Sequence, residues 1–318
     1  MGLAGQSGPN RDTFMFKRSD SIHGLVAGTL SMLLLIAACD SGDSGGSAVS
    51  STGQQAAADN ASRPAGDTTD ASKRAQIAPR RAVDSERLPY GEVDDELANG
   101  YFVFPVDMIE PLPAVIVIHE WWGLNDNVRA MADRLAGEGY IVLAIDLYGG
   151  EVADSVNAAR RLMREVVEDP DPAAENIRQA YKFLESIAGA PRIGSLGWDL
   201  GGGWSLNAAL LFPDELDAAV IYYGQITDDE ELLQPMNVPI LGLFGAADRG
   251  ISVASIQVFE AALERLRKNY EIHIYPDARH AFADTTGNTY NAEAAEDAWE
   301  KTLDFFSRNL AGSAATDN

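Results

Sequence analysis

At 318 residues the chain is long enough for one or two domains, and a hydrophobic share of 46% suits a globular protein with a substantial core. Asp and Glu outnumber Lys and Arg by 48 to 24, a formal charge of −24, which repels phosphate backbones and argues against nucleic acid as a partner. A single cysteine, Cys39, excludes an internal disulfide and a Cys-x-x-Cys metal site.

Lys17 and Arg18 precede an apolar run, GLVAGTLSMLLLIAA, from Gly24 to Ala38. The run is shorter than the roughly 20 residues that span a bilayer, and a basic stretch followed by a short apolar one is the order of a secretory signal. It ends in LIAAC, which resembles the lipobox of bacterial lipoproteins. That resemblance implies a signal peptide over 1–39, lipidation at Cys39, and a domain held at the membrane of the bacterial cell envelope, outside the cytoplasm. Residues 40–83 are dominated by Ser, Gly, Ala, Asp and Thr without apolar periodicity, and read as a disordered tether with a mean reach of roughly 35 to 40 Å.

From residue 84 to 311 short apolar and β-branched runs alternate with helical-period stretches, and 312–318 reads as a flexible tail. The expected strands are 101–106, 114–120, 140–148, 193–198, 218–224, 239–245 and 270–276. Helices are expected near 126–137, 154–167, 173–188, 201–211, 253–268 and 291–309. Nearly continuous apolar strands separated by amphipathic helices predict one α/β domain, a mostly parallel doubly wound sheet covered on both faces.

In such a sheet ligands sit beyond the carboxyl ends of the strands, so the residues following each apolar run carry the chemistry. Glu120 follows AVIVIH, Asp199 follows IGSLGW, Asp248 follows PILGLFGAA, and His280 lies in the loop after YEIHIYP. Gly197, Gly201, Gly202 and Gly203 give Asp199 the small neighbours that a sharp strand-to-helix turn needs, and the order elbow residue, acid, histidine is that of the α/β-hydrolases. Each position has a plainer reading. Asp199 could simply cap the following helix, His280 could be a solvated loop residue, and Asp277 or Asp284 competes with Asp248 for the histidine. His119 and His273 read as structural groups.

The segments HEWWGLNDNVRAMADRLAGEGYIVLAIDLYGG, GWDLGGGWSL, LFGAADRGIS and RHAFAD together resemble the dienelactone hydrolase family over roughly residues 90–310. The resemblance implies an α/β-hydrolase fold, a small ester or lactone substrate, no cofactor or metal, and a catalytic set Asp199, Asp248, His280 and Glu120. It departs from the family pattern twice. The usual elbow cysteine is Asp199, and the position where lactone enzymes carry an arginine for a substrate carboxylate is Asp284. The backbone N–H groups of Leu200 and of the Glu120 to Trp121 region are expected to form the oxyanion hole, and Trp122, Trp198, Trp204, Phe282 and Asp284 to line the substrate pocket.

An aspartate is a poor nucleophile toward ordinary esters, because the tetrahedral intermediate expels a carboxylate of pKa about 4 more readily than an alkoxide. Enol lactones and aryl esters lose a more stable anion. At a saturated carbon bearing a halide or an epoxide oxygen the objection disappears, since displacement gives an alkyl ester that water activated by His280 and Asp248 can hydrolyse. Trp121, Trp198 or Trp204 could then hold a halide, and Tyr148, Tyr222 or Tyr223 could protonate an epoxide oxygen. A third possibility is an impaired site, a binding protein in which Asp199 and His280 form only a buried ion pair.

Overall fold

The computed structural model describes residues 77–311. Cys39 with its expected lipid anchor, the tether up to residue 76 and the tail 312–318 lie outside the described residues. Eight strands form one sheet: β1 (Val83–Val93), β2 (Glu96–Pro105), β3 (Ala114–Ile118), β4 (Ile141–Ile145), β5 (Ile193–Trp198), β6 (Ala218–Tyr222), β7 (Ile240–Gly245) and β8 (Tyr270–Tyr275). Their spatial order is β1-β2-β4-β3-β5-β6-β7-β8. The β1–β2 and β2–β4 pairs are antiparallel, and all others are parallel.

The helices are α1 (Asp126–Ala136), α2 (Val156–Glu168), α3 (Asp171–Ser186), α4 (Leu200–Leu211), α5 (Glu230–Leu233), α6 (Val253–Arg265) and α7 (Ala292–Leu310). They cover both faces of the sheet. In β3 and β4, Ile116, Ile118, Leu143 and Ile145 enter one core, while Val115, Val117, Val142 and Ala144 enter the other. Burial on both faces is why these strands read as unbroken apolar runs. This is the α/β architecture expected from the alternating pattern.

Three details differ from the sequence reading. The edge strand β1 is not among the expected strands, because VDSERLPYGEV carries Pro, Gly and charges; it pairs with β2 alone, exposes most of its residues, and shifts register between Pro89 and Gly91. Its pairing also lengthens β2, which starts at Glu96 rather than 101. The folded part takes in residues that composition assigns to the tether: Ile77 packs on the core, and Pro79 and Arg80 lie against Gly137. Two or three apolar contacts suffice to dock a polar stretch, and composition averages them away. Among the described residues no helix is long and apolar enough to cross a membrane.

The strand order reverses around β3, which lies between β4 and β5. The carboxyl ends of β3, β5, β7 and β8 therefore open into one crevice, the place where doubly wound sheets bind ligands.

Candidate active site

Strand β5 ends at Trp198 and α4 begins at Leu200, so Asp199 alone makes the turn. Its backbone sits at φ 53°, ψ −114°, a strained conformation for a residue with a side chain, costing about 1–3 kcal/mol. The packing around it leaves little choice. A Cβ on Gly197 would stand 1.9 Å from the Gly201 carbonyl oxygen, and one on Gly201 would stand 2.2 Å from that of Ile118. The helix start thus presses directly on the strands, and the Asp199 N–H is tied to the Tyr222 carbonyl at 3.0 Å. Asp199 occupies the N-cap position yet its side chain makes no capping bond. The capping alternative fails, and the carboxylate is turned outward.

There it meets His280, whose Nε2 lies 3.0 Å from Asp199 Oδ1, while Nδ1 lies 2.8 Å from Asp248 Oδ2. The other oxygen of Asp248 accepts the N–H groups of Gly250 and Ile251 at 2.7 and 3.1 Å, which fixes the carboxylate. Asp248, not Asp277 or Asp284, is therefore the partner of the histidine. Burial acts to lower the basicity of His280, but the hydrogen bonds and charges of Asp199 and Asp248 outweigh it and push the imidazole up to about 10. At neutral pH it is an imidazolium between two carboxylates. The Asp199 side chain is 16% exposed and that of His280 8%, so the carboxylate is reached from solvent by a narrow approach.

The second oxygen of Asp199, Oδ2, faces the backbone N–H of Trp121 at 3.4 Å. Leu200, the other expected donor, opens α4, where backbone N–H groups have no acceptor within the helix. Glu120 is buried, and its Oε1 accepts the Tyr223 hydroxyl at 3.1 Å. Burial first, then the charges of Asp284 and Asp199, raise its carboxyl well above the ordinary range, which favours its neutral form. Asp284 is held from the opposite side: its Oδ1 accepts the Thr286 N–H at 2.9 Å, the Thr286 hydroxyl at 2.6 Å and the Asn127 amide at 3.2 Å.

Glu120, Asp284, Trp198, Tyr223, Asn127 and Met131 border a cavity of ≈ 10 Å³, about the minimum for one water. Of the five residues expected in the pocket wall, Trp198 and Asp284 line this space. The other three do not border it. Trp204 sits in the core on the other side, because five residues past Asp199 is roughly 500° of helix rotation and turns it away from the crevice. Phe282 is fully buried among Tyr222, Tyr223 and Tyr275. Trp122 packs against Trp121 and Ala159. Tyr222 and Tyr148, weighed as acids for an epoxide, are engaged with the Thr302 hydroxyl and the Trp121 carbonyl. Sequence reasoning missed the Tyr223 contact with Glu120 and the Asn127 and Thr286 clamp on Asp284, since neither Asn, Thr nor Tyr stands out when its partner is remote in the chain. Among the described residues no group of three or more His, Cys, Asp or Glu is arranged to hold a metal ion.

A doubly wound sheet with its turning residue, acid and histidine in contact after the fifth, seventh and eighth strands defines an α/β-hydrolase. Residues 98–310 match the model of the dienelactone hydrolase family, and the chain belongs to that family and is a hydrolase. It is 34% identical over 234 residues to the "Putative carboxymethylenebutenolidase" of Saccharolobus solfataricus, covering 62% of this chain and 90% of that one. The protein of the same name from Escherichia coli K12 is 34% identical over 225 residues, 65% and 80% of the two chains. Among solved structures, one titled as a putative dienelactone hydrolase from Klebsiella pneumoniae superposes with a TM-score of 0.65 at 27% identity, over 72% of this chain and all of that one.

Proposed function

We propose that this protein hydrolyses small esters or lactones with activated leaving groups, using Asp199 as a covalent nucleophile and His280 with Asp248 as its proton-transfer pair. The observation that carries this reading is the unbroken contact from Asp199 through His280 to Asp248, at 3.0 and 2.8 Å, on a strained elbow. A carboxylate needs no deprotonation, so a charged imidazole is the correct starting state. Asp199 Oδ1 attacks the acyl carbon, the leaving oxygen departs with the proton of His280 Nε2, and an acyl–Asp199 anhydride remains. Acylated Asp199 is uncharged, which releases His280 from one of its two carboxylates and leaves it neutral. It then takes a proton from water, hydroxide attacks the acyl carbon, and Asp199 leaves as a carboxylate with His280 charged again. The Trp121 and Leu200 N–H groups serve the oxyanion.

Because Asp199 is itself a good leaving group, only enol and aryl leaving groups compete with it. Asp284 stands where a carboxylate-binding arginine is expected from the family, so the substrate bears no carboxylate there. One observation favours a second reading, displacement at a carbon bearing halide or epoxide oxygen. The Trp121 N–H already faces Asp199 Oδ2, the atom that would carry the oxyanion when water attacks the Asp199 carboxyl carbon of an alkyl ester. Single-turnover hydrolysis in ¹⁸O-water separates the two. Label only in the released acid supports acyl transfer; label in Asp199 with an alcohol product supports displacement; turnover by Asp199→Asn at the parent rate overturns both. As part of the same reading, the apolar run before Cys39 supports an enzyme anchored to the bacterial envelope. Loss of the protein from the membrane fraction in Cys39→Ser tests that.

A further inference from the structure

We propose that His119 is a positioning residue that aims the Trp121 N–H at Asp199. The inference rests on the reading above for its catalytic consequence, but on separate contacts for its geometry.

His119 is fully buried just beyond the end of β3. The Leu147 N–H points at its Nε2 at 3.0 Å, so that nitrogen is an acceptor and carries no proton. The ring proton is then on Nδ1, which donates to the Glu120 carbonyl at 2.6 Å. Only the neutral ring in this one tautomer satisfies both contacts, and burial, the largest influence on its basicity, favours the neutral form.

The Glu120 carbonyl and the Trp121 N–H are opposite ends of one planar peptide. Holding the carbonyl toward His119 turns the N–H the other way, and that N–H is the one 3.4 Å from Asp199 Oδ2. A donor on the carbonyl also polarises the peptide and strengthens its N–H as a donor. The following peptide is held too: the Trp121 carbonyl accepts the Tyr148 hydroxyl at 3.1 Å, and the Tyr148 N–H is fixed by Asp146 Oδ1 at 2.9 Å. The loop after β4 thus grips both peptides around Trp121, through His119 on one side and Tyr148 on the other. Gly123, at φ 90°, adds its own N–H to the Glu120 carbonyl at 3.1 Å, so that carbonyl has two donors, of which His119 makes the shorter contact.

Two substitutions in the full chain divide the ring's functions. In His119→Asn the amide N–H falls near Nδ1 and keeps the side-chain donor to Glu120; in His119→Gln the amide falls near Nε2, keeping an acceptor for Leu147 but leaving the Glu120 carbonyl only the Gly123 N–H. We expect His119→Asn to retain kcat for an aryl ester within about threefold. His119→Gln should lose kcat by about 10- to 100-fold, at or below the usual loss for a missing oxyanion donor, with KM changed less than about twofold. The Trp121 amide, followed by NMR and by deuterium exchange, should shift and exchange faster in His119→Gln but not in His119→Asn. Equal losses in both variants with an unmoved Trp121 amide, or losses that follow the thermal midpoint alone, overturn the proposal. If the parent shows no turnover while the amide responds to Gln and not to Asn, the catalytic reading falls and the positioning by His119 stands.

Discussion

His280 Nε2 lies 3.0 Å from Asp199 Oδ1, on a ring whose other nitrogen is already bonded to Asp248. Each carboxylate alone would stabilise the imidazolium; together they overcome its burial and lift it from 6.5 to about 10. A folded-state pKa above the unfolded one contributes stability that is fully present below about 6.5 and is lost as pH rises through about 10. The thermal midpoint of the parent should therefore fall between pH 7 and 10. Asp199→Asn removes one of the two carboxylates and should flatten that slope. Parallel pH curves for the two proteins would show that Asp199 does not hold the proton on His280.

Substitution at Asp199 separates a working carboxylate from a damaged thiol site. Asp199→Asn keeps the shape and removes the proposed nucleophile, so aryl ester hydrolysis should drop on the order of 10³-fold or more. Asp199→Cys should widen the substrate range. A thiolate is expelled from a tetrahedral intermediate less readily than a carboxylate, which allows less activated leaving groups to compete. The ratio of aryl to alkyl ester turnover is the measurement: high in the parent, lower in the cysteine variant. A parent that is inert on every ester, with turnover appearing only in Asp199→Cys, would show that Asp199 has disabled the site.

The fold was legible because its central strands are buried on both faces, which forces runs such as AVIVI and YIVLAI into the sequence. Edge strand β1 has one neighbour and much exposed surface, so nothing forces such a run and the sequence does not announce the strand. The elbow was legible for a comparable reason, since no side chain fits at Gly197 or Gly201. Asp248 and His280 followed from their positions after strands. What composition and spacing do not carry is side-chain direction. Trp204, Phe282 and Trp122 read as pocket residues because they neighbour site residues in the chain, yet they pack into the surrounding cores. His119 looked structural for the same reason: its value lies in which nitrogen meets which peptide.

Glu120 gives a second pH dependence, distinct from that of His280. Its carboxyl is buried and faces the charges of Asp284 and Asp199, so the fold favours its neutral form. A carboxyl raised in the folded state stabilises fully below its ordinary pKa near 4.5, and that stability is lost as pH rises toward the raised value. Glu120→Gln imitates the neutral acid and can still accept the Tyr223 hydroxyl. Its thermal midpoint should match the parent near pH 4.5 and exceed it progressively as pH rises above that. A gap that stays constant with pH would mean that Glu120 is charged in the fold.

Asp284 tests how the site chooses among substrates. Its Oδ1 takes three donors from Thr286 and Asn127, and an asparagine can keep all three through its carbonyl oxygen. Asp284→Asn should therefore fold normally while removing one fixed negative charge beside Glu120. Two effects follow from the same Coulomb term. The Glu120 carboxyl loses one of the charges that raise it, so it ionises at lower pH. A substrate bearing an acyl-side carboxylate loses a repulsive neighbour, so its KM should fall by about 3- to 10-fold relative to a neutral isosteric ester, equivalent to roughly 1 kcal/mol across a few ångströms of high-dielectric surroundings. The neutral ester serves as the internal standard. An equal change for both substrates would place Asp284 outside the substrate's reach and reduce it to a structural clamp on the loop after His280.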